Sequence, residues 1–232
     1  MDEIIKNMSA EEKGQRIWKE IVMKGKDCDA SLCLDLIKNG ADVEAQDMYG
    51  WTVLMTAAAE GYADICVALM DKGADVNAED EFSHTPLMYA TVNGHADVCA
   101  LLIERGATVD ARYGERDTAL MLAAARGKMD VCMILMENGA DINAQNFFGE
   151  TPLMFATKKG HVEVRAALLE RGAAIDKRNV NGQTVQAWAQ SQGYPDLAKT
   201  FHTYHVRKTF SDAAAAGTPR RRKILRRKPG QG

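Results

Sequence analysis

TPLMFATKKGHVEVRAALLERG, residues 151–172, opens with a Thr-Pro pair and alternates short apolar stretches with single glycines. The same pattern stands 33 residues earlier as TALMLAAARGKMDVCMILMENG (118–139). It stands again as TPLMYATVNGHADVCALLIERG (85–106) and TVLMTAAAEGYADICVALMDKG (52–73). Threonine suits the cap of a helix, because its hydroxyl accepts from a first-turn N–H. Proline after it, at Pro86 and Pro152, gives up an N–H that the first turn leaves unpaired anyway. Glycines 61, 94, 127, 160 and 193 suit the end of a first helix, and glycines 40, 73, 106, 139 and 172 the end of a second. Each unit therefore predicts two helices of two to three turns.

Helices this short do not persist alone, so stacking must stabilise them. Apolar positions repeat in phase: Leu54, Leu87, Leu120 and Leu153 in the first helix; Leu69, Leu102, Ile134 with Leu135, and Leu168 in the second. One unit cannot bury both faces, and its neighbours supply the rest of the core. Met55, Met88, Met121 and Met154 form a further ladder, read as core filling rather than as an adaptable binding groove. Residues 1–15 read as a polar lead, 16–23 as the first helix, and 31–42 as the second helix of a divergent N-terminal cap. Gln186 in place of the core leucine, with Trp188 as the remaining bulky anchor, marks a C-terminal cap. Helix is predicted past Pro195 to about residue 208, followed by a flexible basic tail over 211–232.

An apolar content of 46% and a charged content of 26% suit a globular chain. No apolar run is long enough to cross a bilayer, and the first residues lack the pattern of a secretory signal. Cys33, Cys66, Cys99 and Cys132 recur with the repeat on second helices. Stacked helices lie about 8–10 Å apart, too far for a disulfide. The cysteines read as free core thiols rather than as a metal ladder, which lacks clustered ligands and CxxC spacing. Reduced thiols point to the cytoplasm or the nucleus. The net charge of −3 hides an asymmetry: residues 219–232 hold Arg220, Arg221, Arg222, Lys223, Arg226, Arg227 and Lys228 with no acid, leaving −10 on the rest. That tail reads as an address to nucleic acid, an anionic membrane or the nucleus, or as a solvated end resting on the acidic body. No phosphate-binding loop, nucleophile elbow or carboxylate pair stands apart from the repeats, so no enzyme, cofactor or metal is expected. His202 and His205 lack a third ligand nearby.

The 33-residue period, with Thr85-Pro86-Leu87, Ala90, Gly94-His95, Leu101-Leu102 and Gly106-Ala107, resembles the ankyrin repeat family. The segments 73–78 (GADVNA) and 139–144 (GADINA) add the loop half of that pattern. The resemblance covers about residues 16–205 and implies an all-α solenoid of antiparallel helix pairs with projecting β-hairpin-like loops. It places the N-terminal cap at 16–45, repeats at 46–78, 79–111, 112–144 and 145–177, and the C-terminal cap at 178–210. It implies a monomeric scaffold that binds a protein through its concave face. The positions it exposes are the loop tips and the ends of the first helices: Met48, Tyr49, Trp51, Phe82, His84, Glu115, Asp117, Phe147, Phe148 and Glu150, with Arg126, Lys158 and Lys159. Aromatic tips have no core to enter, and interfaces favour such residues. Trp51, Tyr49, Phe82 and Phe148 are the leading candidates. His95 and His161 read as structural links between repeats; Asp42, Asp75 and Asp141 read as loop residues, and Asn77 and Asn143 as loop residues that bond the turn backbone. The tip glycine at 50, 149 and 182 becomes Ser83 and Arg116, so the 112–117 tip is expected to be irregular.

Overall fold

A computed structural model describes residues 2–201 and 203. Their regular structure is all helix, with no strand among the described residues; two isolated bridges, Gln46 with Thr52 and Tyr113 with Asp117, close loops. Two compact units meet at Val185 and Gln186.

The first unit opens with α1 (Asp2–Asn7) and α2 (Ala10–Lys24). α2 therefore starts six residues before the predicted position. The sequence carried the sign: Ser9 and Glu12 form a capping box, Ser9 Oγ accepting from Glu12 N at 3.1 Å and Glu12 accepting from Ser9 N at 2.7 Å. Within 10–15, read as part of a polar lead, Lys13 and Gly14 pack instead. Gly14 is buried, and a Cβ there would stand 2.5 Å from the Asp42 carbonyl oxygen. A 3₁₀ turn (Gly25–Asp27) leads to α3 (Ala30–Lys38).

Four helix pairs follow: α4 (Val53–Glu60) with α5 (Ala63–Asp71), α6 (Pro86–Asn93) with α7 (Ala96–Glu104), α8 (Ala119–Arg126) with α9 (Met129–Glu137), and α10 (Pro152–Lys158) with α11 (Val162–Glu170). First helices pack on first helices in the order α2, α4, α6, α8, α10, and second helices on second helices from α3 to α11. Two layers result. Thr52, Thr85, Thr118 and Thr151 are buried and accept from Met55, Met88, Met121 and Met154 N at 3.1–3.4 Å. The four methionines and the four repeat leucines of the first helices are buried, as core residues should be.

Side chains staple each repeat to the one before it. Tyr62 Oη donates to the Gly25 carbonyl. At the equivalent position, His95 Nε2 meets Ala59 O at 3.0 Å, Lys128 Nζ meets Asn93 O at 3.2 Å, and His161 Nε2 meets Ala125 O at 3.1 Å. A carbonyl only accepts, so both histidines carry their proton on Nε2. Asn77 and Asn143 reach further than predicted. Their Oδ1 atoms accept from Thr108 N at 2.8 Å and Ala174 N at 2.7 Å, across to the following repeat. Asp42, Asp75 and Asp141 bond their own turns, accepting from Glu44, Asn77 and Asn143 N.

Cys33, Cys66, Cys99 and Cys132 are fully buried free thiols. The fifth, Cys28, lies half-buried with its sulfur 3.7 Å from that of Cys33. Burial pushes the Cys28 thiol up, despite its contact with Cys33. Only the thiolate reacts with iodoacetamide. In the folded chain at neutral pH, Cys28 alone should be alkylated, more slowly than a free thiol and faster as pH rises. Peptide mass mapping checks this; labelling of the repeat cysteines without denaturant would contradict it.

The second unit takes in all but the first residue of α12 (Val185–Ser191) and a helical stretch at 195–201. Trp188 and Tyr194 hold their rings 6.4 Å apart, and Phe201 is fully buried. The basic tail and the predicted helix end near 208 lie outside the described residues. No described helix is long and apolar enough to cross a membrane.

Candidate functional site

One side-chain oxygen shapes each of four loop tips. Oδ1 of Asp47 accepts from Tyr49 N and Trp51 N at 2.8 and 2.9 Å. Asp80 does the same for Phe82 and His84, Asn146 for Phe148 and Glu150, and Asn179 for Asn181 and Gln183, all at 2.8–3.1 Å. Such a bond ties down two otherwise unpaired donors and turns the intervening residues outward. Met48, Tyr49, Phe82, Phe147 and Phe148 accordingly project, from 47% exposed at Phe148 to 80% at Met48. Neighbouring tips join through the backbone: Glu81 N donates to Tyr49 O at 3.0 Å, Phe147 N to Glu115 O at 2.9 Å, and Val180 N to Phe148 O at 2.9 Å.

Trp51 and His84 require a correction. At these two tips the residue just before the capping threonine turns back toward the Tyr89 ring, not outward. Trp51 is half-buried and stacks on Tyr89, centroids 4.9 Å apart and planes 16° from parallel. His84, also half-buried, lies 5.5 Å from the Tyr89 ring and 4.6 Å from the Tyr113 ring. Tyr89 Oη donates to the buried Asp80 at 2.5 Å. Burial alone would raise the Asp80 carboxyl. The bonds from Tyr89 and from the backbone of His84 and Phe82 outweigh it and hold the group below its usual range. The tip aromatics thus sort into an outward set and an inward stack.

The 112–117 tip departs from the others, though not through the lost glycine. Ser83 and Arg116 keep the left-handed conformation, with φ of 60° and 64°. The change is at Tyr113, which stands where the other tips carry Asp or Asn. Without that oxygen the loop closes by reciprocal backbone bonds, Tyr113 N to Asp117 O at 3.2 Å and Asp117 N to Tyr113 O at 3.0 Å. The backbone link that joins the other tips is missing between Phe82 and Gly114. A comparison of the repeats at this one position would have found the substitution.

The charged candidates also divide. Glu150 pairs with Lys158, and Asp117 accepts from Asn146 Nδ2 at 2.7 Å. Glu115, Arg126 and Lys159 are exposed. The Arg116 guanidinium stands 5.7 Å over the Phe147 ring. Between the third and fourth repeats lies a cavity of about 400 Å³ lined by Tyr113, Leu122 and Phe155, with Arg126, Lys159 and Asp117 also at its wall. Sequence reading missed its apolar lining. The sign was present: the residue four after each capping threonine runs Thr56, Tyr89, Leu122, Phe155. Among the described residues, no group of three or more His, Cys, Asp or Glu is placed to hold a metal ion. Arg220, Arg221, Arg222, Lys223, Arg226, Arg227 and Lys228 lie outside the described residues.

Two layers of short stacked helices, inter-repeat staples and projecting loops define a helical repeat protein. A family model described as ankyrin repeats, in three copies, matches residues 20–113 and again 120–212. The chain belongs to the ankyrin repeat family, whose members generally serve as protein–protein interaction modules. No curated protein matches it.

Proposed function

We propose that the chain is a non-enzymatic scaffold that binds a protein partner through its loop tips and the exposed ends of its first helices. The observation that carries this is the set of large apolar side chains held outward at the first, second and fourth tips: Met48, Tyr49, Phe82, Phe147 and Phe148. Water exposure of so many large apolar groups on the loop tips supports an interaction surface there. Side-chain oxygens at Asp47, Asp80 and Asn146 fix the tips in advance, so binding loses little conformational entropy. Glu115, Arg126 and Lys159 supply charge beside the apolar set, and Glu150 with Lys158 supplies a paired edge.

Replacing Phe82 and Phe148 together with serine should weaken partner affinity at least tenfold, about 1.4 kcal/mol or more. The urea midpoint should stay within error, because both rings are exposed. Unchanged affinity would overturn the proposal. Trp51→Ala is the wrong probe, since it unstacks Tyr89 and lowers stability.

A second reading, a tether to nucleic acid or an anionic membrane, rests on the seven basic residues of 219–232. It requires low-salt retention on DNA or anionic vesicles that falls steeply with salt and vanishes on deletion of 219–232. Absence of retention by the intact chain at low salt would end it.

A further inference from the structure

We infer that the cavity between the third and fourth repeats takes an acidic peptide segment, one apolar side chain entering it and flanking carboxylates pairing with Arg126 and Lys159. The inference rests on the protein-binding role proposed above and names the chemistry of the segment bound.

The cavity combines apolar and basic lining. Leu122, Phe155 and the Tyr113 ring line a space of about 400 Å³. That lies within the about 300–1,000 Å³ typical of ligand sites. Arg126 ends α8 and Lys159 caps α10, so each is anchored at the close of a packed helix. Neither has an acidic partner among the described residues, unlike Lys158 with Glu150, Arg105 with Asp71 and Arg171 with Glu137. The one carboxylate at the wall, Asp117, is already bonded to Asn146 Nδ2. Two unengaged cations against one engaged anion leave the rim positive.

The position is distinctive within the stack. Arg126 and Lys159 occupy the place held by Glu60 and Asn93 in the two preceding repeats. Charge along the row of first-helix ends thus runs from negative through neutral to twice positive. Over the same repeats the residue four after the capping threonine changes from Thr56 to Phe155. Basic and apolar character rise together only at this cavity. A carboxylate beside an apolar surface makes stronger charge-assisted bonds to such cations than one in open water. The sign excludes the chain's own basic segment at 219–228 as the occupant.

The test uses the full chain, immobilised, with a random dodecamer peptide library selected at low salt. Enriched peptides should carry a large aliphatic or aromatic residue flanked by Asp or Glu. One such peptide, synthesised and titrated, should bind the Arg126→Glu, Lys159→Glu double variant at least tenfold more weakly. Its affinity for the unaltered chain should fall as salt rises. Both changes are at exposed positions, and circular dichroism checks that the fold is kept. Acidic peptides that bind the double variant equally well, or without salt dependence, overturn the inference. Enriched peptides that lack acids but lose binding on Phe82→Ser, Phe148→Ser also overturn it, while leaving the wider binding role standing. No enrichment over bare support overturns both.

Discussion

Urea unfolding of this chain, kept reduced, should shift to much lower denaturant between pH 7.5 and pH 10. Four fully buried thiols cause it. Burial pushes Cys66 and Cys132 up to about 12 and Cys99 up to about 11, and pushes Cys33 in the same direction. In an unfolded chain a thiol titrates near about 8.5. Below that value both states hold their protons and stability is at its full level. Above it the unfolded chain releases protons that the folded chain retains, so stability falls until the folded thiols titrate in turn. Each such group contributes at most about 1.4 kcal/mol per pH unit, so four together approach about 5 kcal/mol per unit near pH 10. Since domains hold only about 5–15 kcal/mol in total, the chain should unfold before its thiols ionise in place. Replacing Cys99 and Cys132 with alanine should remove about half of the slope of stability against pH while costing some packing at pH 7.5. A midpoint independent of pH over this range would contradict the buried-thiol core.

Gly127→Ala should destabilise the chain far more than Gly160→Ala, although the two glycines are equivalent by sequence. Both have positive φ, 67° and 78°, a conformation that costs an alanine about 1–2 kcal/mol. At Gly160 that is the whole cost, because nothing lies within 4 Å of the added Cβ. At Gly127 the Cβ would stand 2.5 Å from His161 Nδ1 and 2.7 Å from Cε1. The ring must move and lose its bond to Ala125 O, adding about 1–2 kcal/mol. Thermal or urea unfolding should therefore show a loss of about 1–2 kcal/mol for Gly160→Ala and about 2–4 kcal/mol for Gly127→Ala. In a His161→Ala background the two costs should become equal. Equal costs with His161 present would contradict the staple between the third and fourth repeats.

The helix pairs, their caps and their core were legible in the sequence because a strict period puts the same demand on every copy. Thr151 and Leu153 meet the same surroundings as Thr52 and Leu54, so one reading serves all. The candidate site was legible only in part, because contacts between repeats decide which way its residues face. Trp51 and Tyr49 are two residues apart, yet Tyr49 projects and Trp51 turns onto Tyr89, 38 positions along the chain. Tyr113 breaks the Asp and Asn series that builds the other tips, a signal visible only after those tips are understood as side-chain-bonded turns. The reach of Asn77 to Thr108 and of Asn143 to Ala174 follows from the stacking distance, which no single repeat encodes. Ser9 and Glu12 did encode the start of α2, in a stretch whose polar composition masked it.

The most direct measurement places a photo-reactive phenylalanine, one position at a time, at Phe82, at Phe148 and at the exposed Ala166 of α11 in the full chain, and irradiates it in the cells that make it. A scaffold that binds through its tips gives adducts with the same protein from positions 82 and 148 and none from 166. Adducts from position 166 alone, or none from either tip, would contradict it.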